Sequence, residues 1–281
     1  SFVYFSGGWG RVNLGDDDGA AYLLQVSAPS ADANIDGIRQ FVQPVNYTVL
    51  GAGALGDQFD YDNDSTTNNN KITYLTPNVQ GLQAGVSYTP DLGGGTRSLD
   101  GVGQNDTAPF DEAWGIAARY EGEVDKLGFN LGAGYTTADE PDGVPANDDD
   151  LEEWNIGADF DWGPFGLGAV YTESNNGNAN SGRDDNETWV LGLDYTTGPF
   201  KVGGSYYNNE DDTGNFLGAG NAGNELETDR YTGGVTYSYG PGMSLRGSVS
   251  YIDHEVENIT PFGGDDEADA TSFMLGTQVT F

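Results

Sequence analysis

Three observations make this an all-β chain folded as a transmembrane antiparallel β-barrel. Extended runs with apolar residues at every second position recur through its 281 residues. The connections between them alternate between short and long. The chain closes on Ser272-Phe273-Met274-Leu275-Gly276-Thr277-Gln278-Val279-Thr280-Phe281, an alternating strand that stops on an aromatic residue.

The connections assign the two rims. The short ones fall at residues 77–81, 122–126, 163–164, 198–199 and 240–242; the long ones at 89–110, 137–150, 173–186, 208–227 and 254–269. Bacterial barrels carry tight turns on the periplasmic side and long loops outside, so the glycine-proline corners belong to the inner rim. Parity then assigns the faces, because neighbouring side chains on a strand point opposite ways. Trp114, Ile116, Ala118 and Tyr120 share one side, followed by Phe129, Leu131, Ala133 and Tyr135, then Trp154, Ile156, Ala158, Phe160 and Trp162, then Trp189, Leu191, Leu193 and Tyr195. These are expected to face lipid, with glycine and polar groups lining a hydrated lumen. Aromatics mark the strand ends. Trp114, Trp154, Trp189 and Tyr231, with Tyr88, Tyr135, Tyr171 and Tyr251, fall on the outer rim; Tyr120, Trp162, Tyr195, Tyr239 and Phe281 fall on the inner one.

Composition agrees once the barrel is considered. The net charge is −35, mean hydropathy is negative, and no run approaches the roughly 20 apolar residues of a spanning helix. A strand between lipid and water needs only every second residue apolar. A soluble acidic β-sandwich also suits 44 glycines and this charge, but it does not explain aromatics segregated by strand end. The absence of cysteine excludes disulfides and thiolate sites. No signal peptide is visible at Ser1, so the chain reads as mature or shortened. About thirteen strands are counted, and an antiparallel sheet closes only with an even number. The expectation is a further amino-terminal segment of about three strands and a barrel of about sixteen.

Three segments resemble the general diffusion porins of Gram-negative bacteria: residues 2–15, turning at Gly7-Gly8-Trp9-Gly10; residues 72–88, turning at Pro77-Asn78-Val79-Gln80-Gly81; and the terminal strand. In that family they are the hairpin before the constriction loop, the hairpin after it, and the closing strand. The resemblance begins at what would be the family's fourth strand. It implies a homotrimer of sixteen-stranded barrels in the bacterial outer membrane, each with a long third loop folded inward. Residues 1–281 then form one barrel domain with the constriction loop at 16–70, and a helical turn near residues 31–41 narrows the pore.

The loop carries Asp32, Asp36, Asp57, Asp60, Asp62 and Asp64, and Lys71, Arg119, Lys201, Arg230 and Arg246 fall on lumen parity. The resemblance implies that these acids oppose a basic wall. It does not extend to a strong arginine cluster, since positions where many such porins hold arginine read Asp16 and Leu75. With 45 acidic residues against 10 basic ones, the channel is expected to prefer cations among small hydrophilic solutes.

Other chemistries are poorly supported. Asp60-Tyr61-Asp62-Asn63-Asp64 opens like a calcium loop, but position six is Ser65, not glycine, and position twelve is Lys71. Structural Ca²⁺ held by Asp60, Asp62 and Asp64 stays an expectation, and no cofactor is required. The single histidine, His254, reads as a solvated loop residue with no nucleophile in reach, so no enzyme is predicted. The charge opposes nucleic-acid binding. The alternatives are a barrel serving as an adhesive or structural surface protein, and a substrate-specific channel. Conductance separates the first from a diffusion pore, and an aromatic track along the lumen would mark the second.

Overall fold

The computed structural model describes residues 1–40, 59–67, 69–92, 110–140, 150–177, 185–212, 224–257 and 265–280. They form one antiparallel sheet of thirteen strands in chain order: β1 (Phe2–Gly7), β2 (Gly10–Asp16), β3 (Asn70–Leu75), β4 (Leu82–Asp91), β5 (Asp111–Val124), β6 (Leu127–Asp139), β7 (Leu151–Trp162), β8 (Phe165–Ser174), β9 (Asn186–Thr197), β10 (Phe200–Asp212), β11 (Glu225–Gly240), β12 (Met243–Val256) and β13 (Glu267–Val279). Each strand pairs with its sequence neighbours, and β1 and β13 are the free edges. Two four-residue helices, α1 (Ala20–Leu23) and α2 (Ala33–Asp36), lie between β2 and β3.

The alternation seen in the sequence becomes an alternation of exposure. Along β5 the residues Trp114, Ile116, Ala118 and Tyr120 are exposed, whereas Ala113, Gly115 and Ala117 are buried. On β9 the exposed Trp189, Leu191 and Leu193 interleave with the buried Thr188, Val190 and Gly192. Large apolar side chains thus cover the outside of the sheet, from Phe2 on β1 to Leu275 on β13. No described helix is long and apolar enough to cross a membrane, which says nothing of strands.

The hairpin corners follow from backbone chemistry. Gly163 and Gly198 have positive φ (61° and 55°) in the two-residue links β7–β8 and β9–β10, and each precedes a proline whose fixed φ suits the second loop position. The aromatic residues gather into two bands. On the long-loop side Tyr88 lies 4.7 Å from Trp114, Tyr171 lies 4.9 Å from Trp154 and 4.4 Å from Trp189, and Tyr206 lies 5.0 Å from Tyr231. On the short-turn side Phe165 sits 5.0 Å from Tyr195 and Phe200 sits 4.8 Å from Tyr237. Phe281 lies outside the described residues.

The inner face departs from the expectation in one respect. Val170, Val190, Tyr207, Leu226, Ile252 and Val256 point inward and are buried, although a hydrated lumen calls for polar groups there. They are covered from inside by Ala28, Phe59 and Tyr61, three residues of the β2–β3 loop. This apolar cluster is therefore the seat of an inward-folded loop.

Candidate pore constriction

The loop leaves β2 at Asp16 and rejoins the sheet at Asn70. Its first leg enters along α1, which lies against β3, β4, β5 and β6. There the Ala20 amide donates to Ser87 Oγ at 3.1 Å, and Asn13 Nδ2 donates to Asp17 Oδ2 at 2.6 Å. The leg continues to Ala31, whose carbonyl accepts from Thr236 Oγ1 on β11 at 2.7 Å. Asp32 then caps α2 by accepting from the Asn34 amide at 3.1 Å, which explains a helical turn in so short a segment.

The return leg, residues 59–67, is bound to the first leg and to the wall. Gln25 bridges it both ways: its Nε2 donates to Tyr61 O at 2.7 Å and its Oε1 accepts from the Asn63 amide at 2.8 Å. Thr172 Oγ1 donates to Tyr61 O at 3.0 Å and Thr136 Oγ1 to Asn63 Oδ1 at 2.7 Å, while Ser65 donates to the buried Glu153. Covering Phe59 and Tyr61 adds about 1.5–3 kcal/mol each from apolar surface removed from water.

The five basic residues take distinct places. Arg246 pairs with Asp32, and Lys201 pairs with Asp194 at 2.9 Å. Arg230 is fully buried, its guanidinium 5.1 Å from the Phe59 ring and 4.9 Å from that of Tyr207, and its Nη1 donates to Ile35 O at 3.2 Å. Lys71 is also buried and donates to the carbonyls of Thr66 and Thr67, closing the return leg. Arg119 pairs with Glu121 at 3.2 Å near the short-turn end of β5. Arg230 and Lys71 thus hold the loop, and Arg246 and Lys201 face the open space beneath it.

The acidic residues divide in the same way. Asp36 is buried and accepts from Ser205 Oγ at 2.9 Å; burial raises its pKa, and the Ser205 bond opposes the rise. Asp60 accepts from the Gln40 amide at 2.5 Å. Asp62 and Asp64 both pair with Arg39, whose guanidinium also lies 4.9 Å from the Tyr22 ring. Burial pushes Asp60 and Asp64 up to about 6 and raises Asp62 as well. Burial works against the Arg39 charge, but Asp62 and Asp64 outweigh it and hold that pKa above its ordinary value. Asp57 lies outside the described residues.

His254 corrects the sequence reading. It is 1% exposed, its Nδ1 lies 2.8 Å from Thr228 Oγ1, and its ring sits 6.1 Å from Phe59, so it packs under the loop instead of standing in solvent. Arg39, which the sequence reading did not single out, proves central. A lone arginine ahead of three spaced aspartates was the available signal.

Below the first leg lies a cavity of about 630 Å³. The loop contributes Tyr22, residues 27–31 and Arg39; the wall contributes Asp159 and Asp161 of β7, Asp194 of β9, Lys201 of β10, Thr236 of β11 and Arg246 of β12. The arrangement is a charged, water-accessible space narrowed by a docked loop. Among the described residues no group of three acids or histidines is placed to hold a metal ion.

The family model for Gram-negative porins matches residues 1–256. The chain belongs to the Gram-negative porin family. Among solved structures, it is similar to a porin refined at 1.8 Å resolution (20% identity, all of this chain and 80% of that one, TM-score 0.60) and to the anion-selective porin of Comamonas acidovorans (17%, 100% and 77%, 0.59). It is also similar to OmpF of Salmonella typhi in complex with daunomycin (17%, 96% and 75%, 0.57). These likenesses carry the fold. An uncharacterized protein of Rickettsia conorii is 26% identical over an alignment of 118 residues that covers 36% of this chain and only 27% of that relative.

The porin is accordingly a protein of the bacterial outer membrane, and the apolar outer face of its sheet is a lipid face. Leu193, 59% exposed at mid-strand on β9, tests this. Leu193→Arg is expected to cost about 2–4 kcal/mol in folding into lipid vesicles, measured by denaturant titration, because a cation at the bilayer midplane is poorly solvated.

Proposed function

We infer that the porin forms a water-filled channel for passive diffusion of small hydrophilic solutes, that it works as a homotrimer, and that it prefers cations. One observation carries the preference. Each basic residue lining the cavity is paired, Lys201 with Asp194, Arg246 with Asp32, and Arg39 with Asp62 and Asp64, whereas Asp159 and Asp161 of the same cavity have no ion pair among the described residues. With each cation neutralised by its partner, Asp159 and Asp161 leave the cavity and its surrounding ion pairs net negative, in keeping with the overall charge of −35, and like charges exclude anions from a narrow aqueous path. Arg39 already supplies the positive charge between Asp62 and Asp64, so the reading needs no calcium at Asp60, Asp62 and Asp64. Tyr207, an aromatic on the lumen face, is buried under the loop, so among the described residues no exposed aromatic track is left there for a sugar, which favours general diffusion.

The test is the zero-current potential of the reconstituted protein across a tenfold KCl gradient. A cation-selective sign is expected, falling toward zero in Asp159→Asn/Asp161→Asn. An anion-selective sign in the parent protein refutes the preference, and absence of conductance refutes the channel.

A further inference from the structure

The first leg of the inward loop passes across the wall from β4 to β10, and at nearly every strand it meets a glycine. A Cβ added at Gly85 on β4 would stand 3.1 Å from Ala20 Cβ; at Gly132 on β6, 2.7 Å from Val26 Cγ2; at Gly157 on β7, 2.9 Å from Val26 O. At Gly168 on β8 it would stand 2.7 Å from Pro29 Cδ, at Gly192 on β9 it would overlap the Pro29 carbonyl, and at Gly203 on β10 it would lie 2.9 Å from the Ala31 nitrogen. Contacts under 3.0 Å are essentially never made by real Cβ atoms. The obstacles at Gly157, Gly192 and Gly203 are loop backbone, so no side-chain rotation relieves them. None of these six glycines has a left-handed φ, so their backbone conformation does not explain the residue.

We propose that these glycines form a belt that positions the constriction loop, so that the cross-section of the pore is set by the missing side chains of the wall. Where they pass these glycines, residues 20–31 lie against bare backbone and approach the wall more closely than a side chain there permits. The cavity of about 630 Å³, which the channel reading assigns to solutes, is bordered by residues 27–31 of this same leg and by the wall from β7 to β12. A methyl group on the belt lifts the Pro29 carbonyl off the wall by roughly an ångström and moves the loop into that space, since the packed sheet yields less than a loop. The belt also accounts for the order of the elements: the first leg follows the glycines from β4 to β10 before Thr236 of β11 anchors Ala31.

The proposal rests on the channel reading, and the experiment separates the two. The full chain is reconstituted as parent, Gly192→Ala, Gly157→Ala, and Gly276→Ala as control. Gly276 lies on β13, and an added Cβ there meets nothing within 4 Å. Folding is established by the shift in gel mobility on heating, and single-channel conductance and the amide protection of residues 20–31 are then measured. Expected are at least a twofold change in conductance and reduced protection in whichever belt variant folds, with parental values for Gly276→Ala. Parental conductance and protection in a folded Gly192→Ala or Gly157→Ala overturns the belt. Equal changes in Gly276→Ala overturn it too. If the parent conducts nothing, the channel reading fails, and the protection of residues 20–31 still decides the belt.

Discussion

Arg230→Met is expected to release the tip of the constriction loop, weakening its docking by about 3–5 kcal/mol, the usual effect of removing one member of a buried charged group. Methionine keeps much of the stem volume, so the loss isolates the guanidinium. That group lies between the rings of Phe59 and Tyr207 and donates to the carbonyl of Ile35 inside α2. Its charge also opposes the burial of Asp36 and Asp60. Without it, Asp36 loses its compensating cation, Asp60 keeps only Arg39, and the Ile35 carbonyl loses a donor. Faster hydrogen exchange in residues 32–38 and noisier single-channel currents are the expected readouts, with the barrel still folded. Parental exchange in Arg230→Met would show that the apolar seat alone holds the loop.

Much of this architecture was legible because a barrel strand records its two solvents residue by residue. The alternation of Trp114, Ile116 and Ala118 with Gly115 and Ala117 on β5 is a direct consequence of lipid on one side. So long an insertion between two hairpins needs somewhere to pack, and Asp32 and Asp36 stand at the cap and the end of its short α2 turn. What parity cannot tell is what covers an inward residue. Val190 and Ile252 share the lumen face with Thr188 and Ser250, and only the loop folded over them makes their apolar character sensible. The same blindness moved His254 and Arg230 from water to a dry interface. Depth along a strand and the path of a loop are tertiary quantities. The glycines were legible as composition and not as a belt, because their alignment depends on strand register across seven neighbours.

Acidification from pH 7.5 to 5 is expected to tighten the docked loop. Asp60 and Asp64 have an ordinary value of 3.8 and are pushed up to about 6 by burial when the loop is seated. Around Asp60 stand Asp62 and Arg39 of the loop, Arg230 of β11 and Tyr207 of β10; around Asp64 stand Asp62, Arg39, Lys71 of β3 and Glu153 of β7. The sign follows from the raised pKa: between about 4 and 6 the seated loop binds protons that the released loop does not. Seating is therefore penalised fully above pH 6, and the penalty fades as pH falls through 6 toward 4. The span corresponds to roughly 3 kcal/mol per carboxylate as an upper bound, and Asp62 and Asp36 act in the same direction. Protonation weakens the pairing of Asp64 with Arg39, but the net rise means that relief from desolvation is the larger effect. Protection factors of residues 59–67, corrected for the intrinsic pH dependence of exchange, are expected to rise at least tenfold from pH 7.5 to 5. In Asp60→Asn/Asp64→Asn the rise is expected to shrink and the neutral-pH protection to start higher. A protection that falls on acidification would show that the Arg39 ion pairs, and not burial, govern the seat.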